Sequence, residues 1–217
     1  MGHPKKKVHI EWSRDFAYAI GLIVTDGCLL NDGRHIEFNS KDLELVNNLQ
    51  GALKTNFKIS KKTRSKEEEK KYHRIQIGDV VFYRFLESIG LMQRKSKIME
   101  GIKVPDKHFG DFLRGHFDGD GSFYSYWDPR WKSSYMYYTV FNSASKKHID
   151  WLRSKLINLY KVRGHISKGK DSSVYALRFA KTESNVLIDA MYHKPGVMCL
   201  QRKRLKIFDA LSIVGTR

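Results

Sequence analysis

A nine-residue pattern occurs twice in this chain, as Ala19-Ile20-Gly21-Leu22-Ile23-Val24-Thr25-Asp26-Gly27 and as Leu113-Arg114-Gly115-His116-Phe117-Asp118-Gly119-Asp120-Gly121. Each copy is a largely apolar, helix-like run with a glycine at its third position and Asp-Gly at its end. The closing aspartates lie 94 residues apart, so each copy heads about half of the chain. A chain that repeats such a unit has few choices. Two similar halves must form, and their glycines allow the two motif helices to approach closely. Asp26 and Asp120 then stand at the same end of a helix pair, where two carboxylates can hold divalent metal ions.

The segments after each motif follow one order. After Asp26-Gly27 come a short strand Cys28 to Leu30, a turn at Asn31-Asp32-Gly33 and a return strand Arg34 to Asn39, in which Ile36 and Phe38 alternate with His35 and Glu37. Ser40 or Asp42 caps a helix from Leu43 to about Thr55. Phe57 to Lys62 and Tyr72 to Ile77 read as a second strand pair around a densely charged loop, Thr63 to Lys71. Helices follow at Val80 to Ile89 and around Ser96 to Gly101. The second half retraces this: strands Ser122 to Trp127 and Tyr135 to Asn142, a helix Lys147 to Leu159, strands Gly164 to Ser167 and Val174 to Phe179, and helices Glu183 to Met191 and Arg202 to Leu211. Gln93-Arg94-Lys95 recurs as Gln201-Arg202-Lys203 at the same place in the order. The expected fold is α+β, with two pseudo-symmetric αββαββα halves. The division is 1–102 for the first repeat, 103–107 for a linker and 108–217 for the second repeat.

The 217 residues carry 40 Lys and Arg against 23 Asp and Glu, a net charge of +17. Such an excess suits phosphate backbones through counterion release. The cations are not gathered on one amphipathic helix, which argues against a membrane surface, and no apolar run reaches the ~18 residues that span one. Cys28 and Cys199 stand alone, one in each half, so neither a disulfide framework nor a structural zinc site is expected. The N-terminus, Met1 to His9, is basic and lacks the apolar stretch of a secretory signal, and Lys5-Lys6-Lys7 reads as a nuclear signal, a short basic arm that touches phosphate or an expression remnant. The expected location is intracellular, with the host DNA.

Paired carboxylates on a basic protein suit two-metal phosphodiester hydrolysis, in which one ion lowers the pKa of an attacking water and the other stabilises the leaving oxygen. Magnesium fits, because a few carboxylate oxygens, water and substrate phosphate complete its shell; manganese can substitute. Gly27 and Gly121 can adopt the left-handed conformation that stops a helix. Lys95 and Lys203 are the symmetric candidates to stabilise transition-state charge, with phosphate contact or a solvated helix face as the plainer alternative. Asn39 and Asn142, on the return strands, can position water or simply cap a strand end. Asp118, whose repeat-mate is Val24, reads as a cap or packing residue, and His116 as an interface residue.

These motifs resemble those of the LAGLIDADG homing endonucleases in their single-chain, two-repeat form. Copy one matches the nine-letter pattern at Gly21, Leu22, Ile23, Asp26 and Gly27, and copy two at Leu113, Gly115, Asp118, Asp120 and Gly121. The likeness covers about Phe16 to Leu211. It implies a saddle of two antiparallel sheets astride DNA around a central pair of motif helices. It implies a monomer that holds two or three metal ions through Asp26 and Asp120, helped by the carbonyls of Thr25 and Gly119. It implies cleavage of both strands across the minor groove, leaving short 3′ overhangs. Val24, Arg114 and His116 depart from the pattern and put close helix packing in question more than metal binding; Arg114 must reach the helix edge or find a partner. Target reading would fall to outward side chains on the strands: Arg34, His35, Glu37, Lys58, Lys62, Arg74 and Gln76 in the first half. Tyr126, Arg130, Lys132, Tyr137, Lys168, Lys170 and Arg178 would serve in the second. The aromatics from Tyr124 to Tyr138 could stack on sugars or pack in the core. Because the halves differ in these strands, the DNA site should be long and asymmetric. A maturase that binds intron RNA and a DNA-binding regulator on the same fold are the rival functions. A regulator would usually add a helix-turn-helix domain, for which no segment remains here. An intein is not expected without splicing blocks and a terminal His-Asn pair.

Overall fold

The computed structural model describes residues 6–62, 72–170 and 172–215. Most of the basic N-terminal run and the whole charged loop 63–71 lie outside the described residues. Seven α-helices and eight strands are described. The first repeat runs α1 (Arg14–Asp26), β1 (Gly27–Leu29), β2 (His35–Ser40), α2 (Leu43–Leu53), β3 (Ser60–Lys62), β4 (Tyr72–Gly78) and α3 (Val80–Ser88). The second runs α4 (Phe109–Asp120), β5 (Ser122–Trp127), β6 (Tyr135–Ser143), α5 (Lys146–Tyr160), β7 (His165–Lys168), β8 (Tyr175–Phe179) and α6 (Lys181–Met191), with α7 (Gln201–Ile213) added. The fold is α+β, and the αββαββα order holds in both halves. The strands form two four-stranded antiparallel sheets of matching order, β1-β2-β4-β3 and β5-β6-β8-β7.

Three local expectations need correction. Only Ser60–Lys62 of the stretch 57–62 pairs as a strand. Residues 96–101 form no α-helix; a single 3-10 turn, Lys95–Lys97, stands there instead. Gly27 is extended, at φ −83° and ψ 156°, and not left-handed. Its constraint is steric: a Cβ at residue 27 would lie 2.6 Å from the Ile23 carbonyl oxygen. The helix therefore passes directly into β1.

The chain packs as two compact units, Met1–Lys95 with Ile102–Gly119, and Ser96–Gly101 with Asp120–Arg217. The first unit thus contains both motif helices up to Gly119. Its sheet turns Ile36, Phe38, Ile75 and Ile77 inward, onto Leu45, Val46 and Leu49 of α2 and Phe82 and Leu86 of α3. Asp79 fastens this unit twice. It caps α3 by accepting from the Phe82 amide at 2.9 Å, and its second oxygen accepts from the amides of Lys7 and Val8 at 2.6 and 2.9 Å. In the second unit, Phe123, Tyr137, Phe141, Leu177 and Phe179 face inward, and α5, α6 and α7 supply Leu152, Leu187 and Ile207 to the core.

α1 is buried from Phe16 to Val24 without a polar face, so neighbours surround it. Ser13 caps its start by accepting from the Phe16 amide. Against it lies α4, and the contact is backbone on backbone. A Cβ on Gly21 would stand 2.2 Å from the Phe112 carbonyl oxygen, and one on Gly115 would stand 2.1 Å from that of Tyr18. No side chain can rotate away to relieve such a clash, so alanine at either position must push the helices apart. Gly115→Ala is expected to cost about 3 kcal/mol or more, read from urea unfolding, whereas Gly169→Ala, whose added Cβ meets only Ser172 Cβ at 3.3 Å, should cost far less.

Candidate functional site at the ends of the motif helices

The departures from a purely apolar motif are resolved inside the first unit. Arg114, 1% exposed, donates from Nη1 to Asp111 Oδ1 at 2.8 Å, and its guanidinium lies 5.2 Å over the Tyr18 ring. The Tyr18 hydroxyl donates to Asp118 Oδ2 at 2.8 Å and accepts from Asn48 Nδ2 at 3.4 Å. Burial, and then the Asp118 charge, push the Tyr18 hydroxyl well above its ordinary pKa, so it stays protonated as a donor. Asp118 is a packing residue, as its repeat-mate Val24 suggested. His116 is buried beside Phe112, with ring centroids 6.1 Å apart.

At the C-terminal end of this pair, Thr25 Oγ1 donates to the Leu22 carbonyl at 2.9 Å and lies 3.2 Å from Asp26 Oδ2. Gly119 of α4 sits directly against these groups: a Cβ there would lie 1.9 Å from Thr25 Oγ1 and 2.7 Å from Asp26 Oδ2. The Asp26 carboxylate is half-buried beside the backbone of the second motif, and Asp120, the next residue and the last of α4, is exposed.

Both repeated lysines reach the end of their own repeat's motif helix. Lys95, 7% exposed, donates to the carbonyls of Ile23, Val24 and Thr25, at 2.6 Å for Ile23 and 3.1 Å for Thr25. Lys203 Nζ donates to the Gly121 carbonyl at 2.7 Å. The α1 carbonyls carry the negative end of its dipole, and the Gly121 carbonyl follows directly on α4, so the ammonium groups stabilise the helix ends.

The two asparagines occupy matching strand positions but make different bonds. Asn142 Nδ2 donates to the Asp120 carbonyl at 2.9 Å. Asn39 Nδ2 instead donates to Glu37 Oε1 at 2.8 Å, and its own Oδ1 is buried without a hydrogen-bond partner among the described residues. The registers Cys28↔Glu37 and Ser122↔Val140 make Glu37 the counterpart of Val140, which explains the difference. The same alignment exposes a repeated tripeptide, Phe38-Asn39-Ser40 and Phe141-Asn142-Ser143, a sequence signal of equivalence that the motif comparison passed over.

The outer sheet faces hold most of the expected DNA-reading residues. In the first sheet, Lys62 Nζ lies 2.5 Å and Arg74 Nη1 3.4 Å from Glu37, which is itself mostly buried. Burial pushes the Glu37 carboxyl up, but hydrogen bonds from Lys62 and Asn39 and the nearby cations outweigh it and hold it below its ordinary pKa. Arg34, Lys58 and Gln76 are exposed. His35 bonds Asp32 across the hairpin turn at 2.5 Å; this bond, with backbone amides, lowers the Asp32 pKa to about 2. In the second sheet Lys132, Lys170 and Arg178 are exposed, Lys168 lies 4.8 Å over the Tyr175 ring, and Arg130 pairs with Asp128 at 2.9 Å. Tyr126 stacks with Tyr138, centroids 6.3 Å apart, and Tyr138 with Tyr124 at 5.1 Å. Tyr137 corrects the expectation. It is 0% exposed and donates to Asn185 Oδ1, because it occupies the alternate, inward register of β6. Tyr124 and Tyr138 are the outward aromatics that strand alternation from Tyr126 would have chosen.

Two halves of αββαββα, each headed by an Asp-Gly motif helix and carrying one antiparallel sheet, define a duplicated two-repeat architecture. A family model described as a LAGLIDADG-like domain matches residues 14–90, and one described as the WhiA LAGLIDADG-like domain matches residues 109–206. The chain belongs to the LAGLIDADG family. No curated protein is significantly similar to it in sequence. Among solved structures, the homing endonuclease I-WcaI bound to its DNA recognition sequence is similar at a TM-score of 0.64 and 13% identity, over 92% of this chain and 88% of that one. The LAGLIDADG meganuclease I-AabMI, bound to uncleaved DNA, gives 0.63 and 15%, over 92% and 90%. Full-length DUF199/WhiA from Thermatoga maritima gives 0.54 and 16%, over 96% and 71%. At these identities the likeness is one of fold.

If Lys95 is needed to close the end of α1, Lys95→Met leaves several carbonyls without a charged donor. It is expected to lower stability by about 1.5–3 kcal/mol, measured by urea unfolding; an unchanged midpoint would show that the cap contributes nothing.

Proposed function

We propose that this protein is a divalent-metal-dependent, site-specific double-stranded DNA endonuclease. The observation that supports it most is the packing of the Gly119 backbone against the Asp26 carboxylate, which needs both motif helices to end at the same level. Asp26 and, in this reading, Asp120 supply carboxylate oxygens and the backbone supplies carbonyls, the hard oxygen ligands that magnesium or manganese takes, with water and phosphate filling the other positions.

In this reading Asp26 and Asp120 hold two or three ions, helped by the carbonyls of Thr25 and Gly119. When bound, the ions supply a water of lowered pKa and offset charge on the leaving oxygen. The Thr25 hydroxyl, which lies 3.2 Å from Asp26 Oδ2, can turn its one proton from the Leu22 carbonyl to that carboxylate. Lys95 and Lys203 place positive charge at the motif ends and reduce the cost of gathering carboxylates and phosphates there. Asn142 holds the Asp120 backbone, and Asn39 is held by Glu37 at the equivalent position. The exposed cations of the two sheets bind backbone phosphate and base edges. Their difference between halves asks for a long asymmetric target, bound by one copy of the chain and cut to leave 3′ overhangs. The basic composition supports nucleic acid as the partner, and no helix among the described residues is long and apolar enough to cross a membrane.

A second reading, DNA binding without cleavage, draws on the match of residues 109–206 to a WhiA-type model and on the WhiA structure, neither of which is named for a nuclease. Incubation with a pooled, randomised duplex library separates the two. The endonuclease reading expects Mg²⁺-dependent double-strand cuts at one long sequence, and binding without cuts in Ca²⁺. Asp26→Asn and Asp120→Asn should each lower the cleavage rate at least about 100-fold while retaining DNA binding. Variants that cut as fast as the parent would refute the metal assignment, and sequence-selective binding without cuts in either metal would establish the second reading.

A further inference from the structure

The C-terminal helices carry a pocket that the metal site does not use. α6 ends at Met191, and the chain reverses through His193-Lys194-Pro195-Gly196 before α7 begins at Gln201. Gly196 stands at φ +73° immediately after Pro195, the residue pair of a type II turn, and this order fixes the rim on which Lys194 sits. Between rim and helix lies a cavity of about 240 Å³, lined by Tyr192, His193, Lys194, Pro195, Arg204 and Phe208.

The lining combines an aromatic wall with unneutralised cations. Tyr192 and Phe208 meet edge to face, with centroids 5.9 Å apart. The Arg204 guanidinium lies 4.8 Å over the Phe208 ring; such a contact occupies one face of the guanidinium and leaves its N–H edge available for hydrogen bonds. His193 Nδ1 bonds the Ala190 carbonyl at 3.2 Å, which fixes the ring beside the cavity. No carboxylate lines the cavity. Among the described residues neither Lys194 nor Arg204 pairs with one. A fork of guanidinium donors, an exposed ammonium and an aromatic wall in one cavity suit a compact tetrahedral anion carried on a ring.

We infer that this pocket binds the phosphate of a single nucleotide unit, with Lys194 and Arg204 as its ligands and the Tyr192–Phe208 pair against the sugar or base. The phosphate can belong to a free mononucleotide or to a nucleic-acid strand, and the cavity residues recognise both by the same chemistry. None of these residues lies on the strands proposed to read the target or at the ends of the motif helices, so this inference and the proposed nuclease activity can fail separately.

The test uses the full chain and three probes by titration calorimetry: inorganic phosphate, AMP and a short single-stranded oligonucleotide. The wild type should bind AMP, and Lys194→Ala and Arg204→Gln should each weaken it about tenfold. Lys107→Ala, which removes one exposed charge elsewhere, should change it less than about twofold. Binding of the oligonucleotide alone, with the same loss in the pocket variants, would assign the phosphate to a strand. Arg204→Lys keeps the charge but not the fork, and should also weaken binding; it serves if Arg204→Gln unfolds by circular dichroism. Equal binding by the pocket variants and Lys107→Ala, or no binding of any probe to the wild type, would overturn the inference.

Discussion

The approach of α1 to α4 through Gly21 and Gly115 is the constraint on which the rest of the first unit depends. Peptide groups stand where side chains would normally separate two helices, so their relative height and rotation have almost no freedom. That contact leaves no room for a side chain at Gly119 either. It brings the second motif's backbone against the carboxylate of the first. The polar residues of α4 then fall into place. Arg114, too long for the seam, lies over Tyr18 and pairs with Asp111, and Asp118 takes the Tyr18 proton donor. Burying these charges is costly unless each is paired, and the network pairs them within one helix turn of the glycines.

The end of each motif helix concentrates negative character, from carbonyls and from an acidic side chain. The chain answers with a lysine from a distant segment in each repeat: Lys95 on the last carbonyls of α1, and Lys203 on the Gly121 carbonyl. The two lysines reach equivalent places by different local structures, a 3-10 turn for Lys95 and the first turn of α7 for Lys203. The repeat has preserved a function of the side chain more closely than the backbone that presents it.

Much of this was legible in the sequence, because its strongest signals were repeated. The Asp-Gly motifs located the helices, and alternation around Ile36 and Phe38, with the matching segment order after Asp120-Gly121, located the sheets, with the αββαββα order intact. The Gln-Arg-Lys pair pointed to the two lysines, although their role as carbonyl caps depended on a tertiary contact no local pattern encodes. Edge segments were less legible. Residues 57–59 have strand-like composition but no strand partner among the described residues, and 96–101 has helical composition but is held at the start of α5, where Ser145 Oγ and His148 bond the carbonyls of Met99 and Glu100. Tyr137 was misread because an aromatic run has no polar alternation to show which face is outward. Glu37 also holds Asn39, Lys62 and Arg74, the last two through contacts between strands that no local pattern encodes.

The central claim is that the paired ends of the motif helices hold divalent ions. Manganese titration of isotopically labelled protein, followed by paramagnetic broadening of backbone amide signals, tests it without knowledge of the target. The account predicts that signals from residues 25–27 and 119–121 broaden first and together, and that Asp26→Asn abolishes the effect. Broadening centred elsewhere, or the same pattern in the Asp26→Asn protein, would contradict it.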